Sequence, residues 1–243
     1  MLAKDILAEE AKYHADWTVA GQLKAATYGA LDVFDYKSGS GDFFYTEQIA
    51  KNLLLLHFTA GYLWGDIATL TIAHKHVSVA FVVGRSGNIY RLFNDKYWSN
   101  HLGKDKDVVG NNTLLHKRSV AVEISNVGPL TLNAGKTALT FAGSKYCELS
   151  DAASYTKLAS DYRGFRYFAS FTDAQYVSVK ALIGEICIQN PATPRSFLPA
   201  ASRYLPFAKD SAADSYKGIA SHVNFRRTGK TDIGPGFDWP RIV

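Results

Sequence analysis

Near its C-terminal end the chain reads Ser221-His222-Val223-Asn224-Phe225-Arg226-Arg227-Thr228-Gly229-Lys230-Thr231-Asp232-Ile233-Gly234-Pro235-Gly236-Phe237-Asp238-Trp239. A histidine ends an apolar, strand-like run. A basic loop follows, and a lysine and an aspartate stand two apart before a Gly-Pro-Gly turn. Imidazole and carboxylate together suit Zn²⁺, and a lysine beside them can face a reacting bond. A second histidine, His57, ends the apolar run Leu53-Leu54-Leu55-Leu56 in the same way. If the two strands lie side by side in one sheet, both imidazoles emerge at the same edge. Asp232 can then fold back after Gly229 as a third ligand, leaving the fourth position open, as in a catalytic zinc site. Taken singly, a histidine at a strand end is more often structural than a ligand, and the long separation of the three keeps that reading open.

The elements that would position these residues can be read from the pattern. Leu53 to Phe58 is a short continuous apolar run, the mark of a fully buried strand. Val77 to Val83 and Ile89 to Phe93 read as a hairpin around Gly84-Arg85-Ser86-Gly87-Asn88. Ser119-Val120-Ala121-Val122-Glu123-Ile124-Ser125 is another buried strand with a carboxylate at its far end, and 218–223 is the last strand. Asp66 to His74 fits a short helix, and Ile6 to Tyr13 a short amphipathic one. Thr172-Asp173-Ala174-Gln175 resembles a helix N-cap, followed by the apolar stripe Tyr176, Val179, Leu182, Ile183 and Ile186. Residues 127–170 lack periodicity and read as a long excursion with little regular structure. Strands alternating with helices, plus a hairpin, predict an α/β fold: a single domain with a mixed central β-sheet flanked by helices.

Composition narrows the class. At 243 residues, 47% of them hydrophobic, the chain suits one substantial globular core. No apolar run approaches the roughly 20 residues that span a bilayer. The N-terminus lacks the apolar region of a secretory signal, which predicts synthesis in a cytoplasm. A net charge of +5 favours an anionic partner or serves solubility alone. No basic helix supports nucleic-acid binding. Cys147 and Cys187 are too few for a disulfide framework and read as incidental thiols. His74, His76 and His116 are expected to be exposed.

Several stretches carry a resemblance. Leu54-Leu55-Leu56-His57-Phe58-Thr59-Ala60-Gly61, the hairpin from Val77 to Tyr90, Trp98-Ser99-Asn100-His101-Leu102-Gly103, Ser119 to Asn126 and the stretch around His222 occur in the order seen in zinc-dependent N-acetylmuramoyl-L-alanine amidases. That family includes phage amidase-type lysozymes, bacterial cell-wall amidases and peptidoglycan recognition proteins. The similarity runs from about residue 50 to 243, and Lys-Thr-Asp-x-Gly-Pro-x-Phe-Asp-Trp is its most specific motif. It implies that His57, His222 and Asp232 hold Zn²⁺, that Glu123 is the general base, and that Lys230 stabilises the transition state. Asp232 resembles the bacterial members; many phage and animal members have Cys there. The chain departs from the pattern at Val79 and Ala80, where relatives often carry Tyr or His. It departs again around His222, which sits in Ser-His-Val-Asn rather than the commoner Gly-His-Ser-Asp.

These readings lead to a hydrolase that cleaves the amide between N-acetylmuramic acid and L-alanine of the stem peptide through zinc-activated water. Residues 48–243 would be the catalytic domain and 1–47 an N-terminal extension or substrate-side segment. His101 and Trp98 are candidate substrate contacts, although Trp98 and Trp239 also suit packing. The expected partner is peptidoglycan or muropeptides, with no nucleic acid and no transmembrane segment, acting as a monomer. Two settings fit: a bacteriolytic endolysin acting on the wall after release, or a recycling amidase in the cytoplasm. The rivals are a non-catalytic peptidoglycan-binding module and another zinc amide hydrolase.

Overall fold

The computed structural model of the protein describes residues 1–39, 41–103 and 105–243. Helix α1 (Ile6–Val19) leads into strands β1 (Leu23–Tyr28) and β2 (Leu31–Tyr36). Then come β3 (Leu53–Phe58), α2 (Leu63–Leu70), β4 (Phe81–Val83), β5 (Ile89–Arg91), α3 (Asn112–Arg118) and β6 (Ser119–Ile124). Strands β7 (Pro129–Asn133), β8 (Thr137–Leu139), β9 (Lys145–Glu148), β10 (Tyr155–Tyr162) and β11 (Phe165–Ala169) follow. The chain closes with α4 (Asp173–Gln189), α5 (Asp210–Ser215) and β12 (Gly218–Ser221).

The main sheet has seven strands in the order β1-β2-β5-β4-β6-β3-β12. Strands β12, β3, β6 and β4 run parallel, and β5 and β2 run against them, so the sheet is mixed. The run of leucines in β3 is buried throughout because both faces of the sheet are covered. Leu54 and Leu56 join the core that includes Val179, Leu182 and Ile186 of α4, whereas Leu53 and Leu55 pack with Leu115 of α3 and Ala213 of α5. Such double coverage is what an apolar strand without alternation requires.

Local signals behave as the sequence predicts where a side chain satisfies the backbone directly. Thr172 caps α4: its hydroxyl accepts from the Gln175 N–H, and the Gln175 side chain accepts from the Thr172 N–H. The β4–β5 turn shows something the sequence does not. The Glu10 carboxylate of α1 accepts from the N–H groups of both Arg85 and Ser86, so the first helix caps a turn 75 residues away. The β1–β2 hairpin extends the sheet edge by pairing with β5.

Residues 127–170 differ from expectation. They form a second, five-stranded antiparallel sheet, β10-β11-β7-β8-β9. Its strands are mostly half-exposed, which hides the hydrophobic alternation. Its stability rests on pairing between neighbours and on a small core of Val127, Leu130, Ala138, Tyr146 and Ala169, which Ile6 of α1 completes. Gly128 sends the chain from one sheet to the other with φ +72°, and a Cβ there would lie 2.3 Å from the Phe58 ring. His116, expected outside, is 3% exposed because α3 turns it inward.

Candidate functional site

The site lies at the carboxyl ends of the parallel strands, the usual ligand position in such sheets. Register puts it there. His57 of β3 is paired with Glu123 of β6, and Leu56 with Ser221 of β12, so His222, the next residue, comes level with His57. Residues in register on parallel strands share a face. His222 opens a short 3₁₀ turn, His222–Phe225, whose cap is Ser221 paired with Asn224. The loop after it folds back, and Val223 donates to the Asp232 carbonyl at 2.8 Å. Arg163, in the β10–β11 turn of the second sheet, donates to the carbonyls of Lys230 and Arg226 and ties that loop down.

Three ligand atoms converge. The Nδ1 atoms of His57 and His222 are 2.9 Å apart, and Asp232 Oδ2 lies 3.2 and 2.8 Å from them respectively. All three residues are at most 4% exposed. His222 Nε2 lies 3.2 Å from the Leu102 carbonyl, which can only accept, so a neutral His222 carries its proton on Nε2 and presents a bare Nδ1. Burial, reinforced by His222, pushes the His57 imidazole down to about 4 and keeps it neutral. Burial alone would push the Asp232 carboxyl up, but the two imidazoles outweigh it and hold the group well below the usual range. Lone pairs gathered this closely repel unless a cation lies among them. Tetrahedral zinc bonds of about 2.0–2.1 Å separate ligand atoms by roughly 3.3 Å, so the group fits Zn²⁺ with little movement. Two neutral imidazoles and one carboxylate leave part of its charge to act on a substrate.

Two of the three, His222 and Asp232, line a cleft of about 370 Å³ together with Glu123, Lys230 and His101. One wall, with Pro129, Phe141 and Phe165, comes from the second sheet; the other holds Leu70, Val77 and Val79. Glu123 makes no ion pair among the described residues, and its buried Oε2 has no hydrogen-bond partner. Burial, with repulsion from Asp232 and Asp66, pushes the Glu123 carboxyl well up, and Lys230 offsets part of that. A carboxyl desolvated in this way holds a proton more readily than an exposed one, the direction of tuning that proton transfer calls for.

His101 lines the cleft, but its ring nitrogens are turned to other side chains: Nδ1 is 3.2 Å from His57 Nε2, and Nε2 is 2.7 Å from Ser119 Oγ. Trp98, the other candidate substrate contact, is not brought to the cleft. Its ring stacks on Tyr45 at 4.0 Å, and its Nε1 donates to Glu47. Trp239 is buried in the main core. Sequence reasoning missed Ser119, Arg163 and Phe141. Their types carry no signal, because a serine at a helix end and an arginine or phenylalanine in a turn are ordinary.

Comparisons with known proteins bear on this geometry. No curated protein matches the chain. Among solved structures, AmiD from E. coli superposes with a TM-score of 0.50 at 17% identity, over 91% of this chain and 65% of that one. That structure is a complex of an N-acetylmuramyl-L-alanine amidase with anhydro-N-acetylmuramic acid-L-Ala-D-γ-Glu-L-Lys. The chain therefore spans just under two thirds of the AmiD chain. A selenomethionine AmpD structure superposes with a TM-score of 0.50 at 18% identity, over 90% of this chain and 97% of that one. At these identities the likeness establishes the fold. The sequence profile of the N-acetylmuramoyl-L-alanine amidases matches residues 47–235, most of the chain and every residue of the converged site, and by that match the chain belongs to the N-acetylmuramoyl-L-alanine amidase family.

Proposed function

We propose that the protein hydrolyses the amide bond between N-acetylmuramic acid and L-alanine of the peptidoglycan stem peptide, and that it does so as a zinc enzyme. The observation that carries this is that Glu123, whose buried Oε2 has no hydrogen-bond partner, lines the same cleft as His222 and Asp232 of the converging ligand group. His57, His222 and Asp232 would hold the metal. When bound, Zn²⁺ supplies Lewis acidity, polarising the amide carbonyl and acidifying water. Glu123 takes a proton from the attacking water and passes it to the leaving nitrogen as the carbon–nitrogen bond breaks. The Lys230 ammonium, on the cleft wall, offsets negative charge growing on the carbonyl oxygen. Phe141 and Phe165 give the second sheet a role as a substrate wall.

A non-catalytic binding module would need neither three converging ligand atoms nor a buried, unpartnered carboxyl beside them, and these features favour the catalytic reading. The substrate is either the intact sacculus, as for a bacteriolytic endolysin, or small soluble muropeptides, as for a recycling enzyme. No helix among the described residues is long and apolar enough to cross a membrane. The test measures zinc per chain and new amine released from purified sacculi and from a soluble anhydro-muropeptide. We expect about one zinc and release from at least one substrate, with both lost in His222→Ala. Activity retained in His222→Ala overturns the metal assignment, and zinc without turnover on either substrate overturns the catalytic one.

A further inference from the structure

The two histidine ligands are supported differently. His222 is fixed directly, its Nε2 facing the Leu102 carbonyl. Among the described residues, no carbonyl or carboxylate is hydrogen-bonded to the Nε2 of His57. Its Nε2 faces another imidazole, His101 Nδ1, at 3.2 Å, and the two rings meet edge-on at 85° with centroids 5.2 Å apart. Such a contact holds in either direction: either ring can be the donor. If His101 donated, His57 Nε2 would accept, and a neutral His57 would then carry its proton on Nδ1, pointing it at Asp232 and His222 where the metal should lie.

The choice is made two residues away. His101 Nε2 lies 2.7 Å from Ser119 Oγ, and the same oxygen lies 2.7 Å from the Leu115 carbonyl in the last turn of α3. A carbonyl cannot donate, so the single hydroxyl proton of Ser119 goes to Leu115. Ser119 Oγ must therefore accept from His101, which places the His101 proton on Nε2 and leaves Nδ1 bare to accept from His57. The backbone holds His101 in place as well: its N–H donates to His116 Nδ1 at 3.1 Å. Ser119 stands at the junction of α3 and β6, four residues before Glu123 and on the same face of that strand, so the relay shares a rigid element with the base.

We propose that His101 and Ser119 are positioning residues for the metal site: a directional relay, anchored on the Leu115 carbonyl, that holds His57 in the tautomer presenting Nδ1. This rests on the zinc reading above. It reassigns His101 from substrate contact to ligand support. Outer partners of a ligating histidine set its orientation and tautomer, and losing one typically weakens metal binding about 10- to 100-fold.

The test titrates zinc alone into metal-free protein against a competing chelator, for wild type, Ser119→Ala, Ser119→Thr, His101→Ala and His101→Gln. We expect affinity to fall about 10- to 100-fold in Ser119→Ala and His101→Ala. Ser119→Thr, which keeps the hydroxyl, and His101→Gln, whose amide oxygen can accept from His57, should recover much of it. Nitrogen NMR of the histidine rings in zinc-loaded wild type should show His57 protonated on Nε2, a readout that survives even if a variant fails to fold. Wild type that binds no zinc sinks the underlying reading. Wild type that binds zinc while His101→Ala binds it equally well, with only KM raised, overturns the relay and restores His101 as a substrate contact. So does a His57 proton on Nδ1.

Discussion

Glu123→Gln separates a catalytic base from a structural carboxylate, because the two roles predict opposite effects on stability. Glu123 is isosteric with glutamine, and its Oε2 is buried with no partner, so no hydrogen bond is lost to that atom. Its ionised form is disfavoured in the fold by burial and by the charges of Asp232 and Asp66. A group whose folded pKa is raised in this way costs stability once pH exceeds its unfolded value, and a neutral amide removes that cost. Metal-free Glu123→Gln should therefore melt at the wild-type temperature or above it. Zinc content should stay near one per chain, because Glu123 is not among the converging ligands. Turnover should behave otherwise. General-base catalysis is worth about 10²–10⁴-fold, or roughly 2.7–5.4 kcal/mol of barrier. The assay measures kcat/KM for amine release, zinc by metal analysis, and thermal unfolding of the metal-free protein. A rate within a few-fold of wild type would refute the assignment. A rate loss accompanied by lost zinc or a lowered melting temperature would mean that Glu123 supports the fold or the metal rather than moving the proton.

Lys230→Met should lower kcat by about 10²–10³, or roughly 2.7–4 kcal/mol, with zinc retained, because it removes one stabilising charge from the developing oxyanion. An unchanged kcat would return Lys230 to the solvated loop. Asp66 gives a pH test. Burial pushes its carboxyl up to about 6, against hydrogen bonds that include one from Ser125. Its folded pKa lies above its unfolded value, so the native state binds the proton more readily and this group's contribution to stability falls as pH rises from about 4 to 6. The upper limit is about 3 kcal/mol. In urea unfolding at pH 4 and pH 7, the gap between wild type and Asp66→Asn should move in the mutant's favour at the higher pH; parallel curves would show that Asp66 does not titrate there.

What the sequence determined by itself were the features in which a residue acts through its own strand or its nearest turn. The all-leucine run to His57 reads as a strand covered on both faces, and the Thr172–Gln175 box starts its helix within one turn. Beyond such local features, only the family resemblance implied that His57, His222 and Asp232 come together, 175 residues apart from first to last in the chain. Tertiary structure decided the rest, because those outcomes depend on partners that no local pattern encodes. The 127–170 segment became a sheet through pairing between half-exposed strands and a small core completed by Ile6. Trp98 lies away from the cleft, its ring stacked on Tyr45 and its N–H donated to Glu47, contacts that no local pattern announces. Glu123 became a desolvated carboxyl, rather than one half of a salt bridge, because the fold buried it, set Asp232 and Asp66 near it and left its Oε2 unpaired. The direction of the His57–His101 contact was settled by a serine proton and the carbonyl at the end of α3. A sequence can display the ligands of such a site, but the protonation of each ligand is fixed by whatever atom the fold puts behind it.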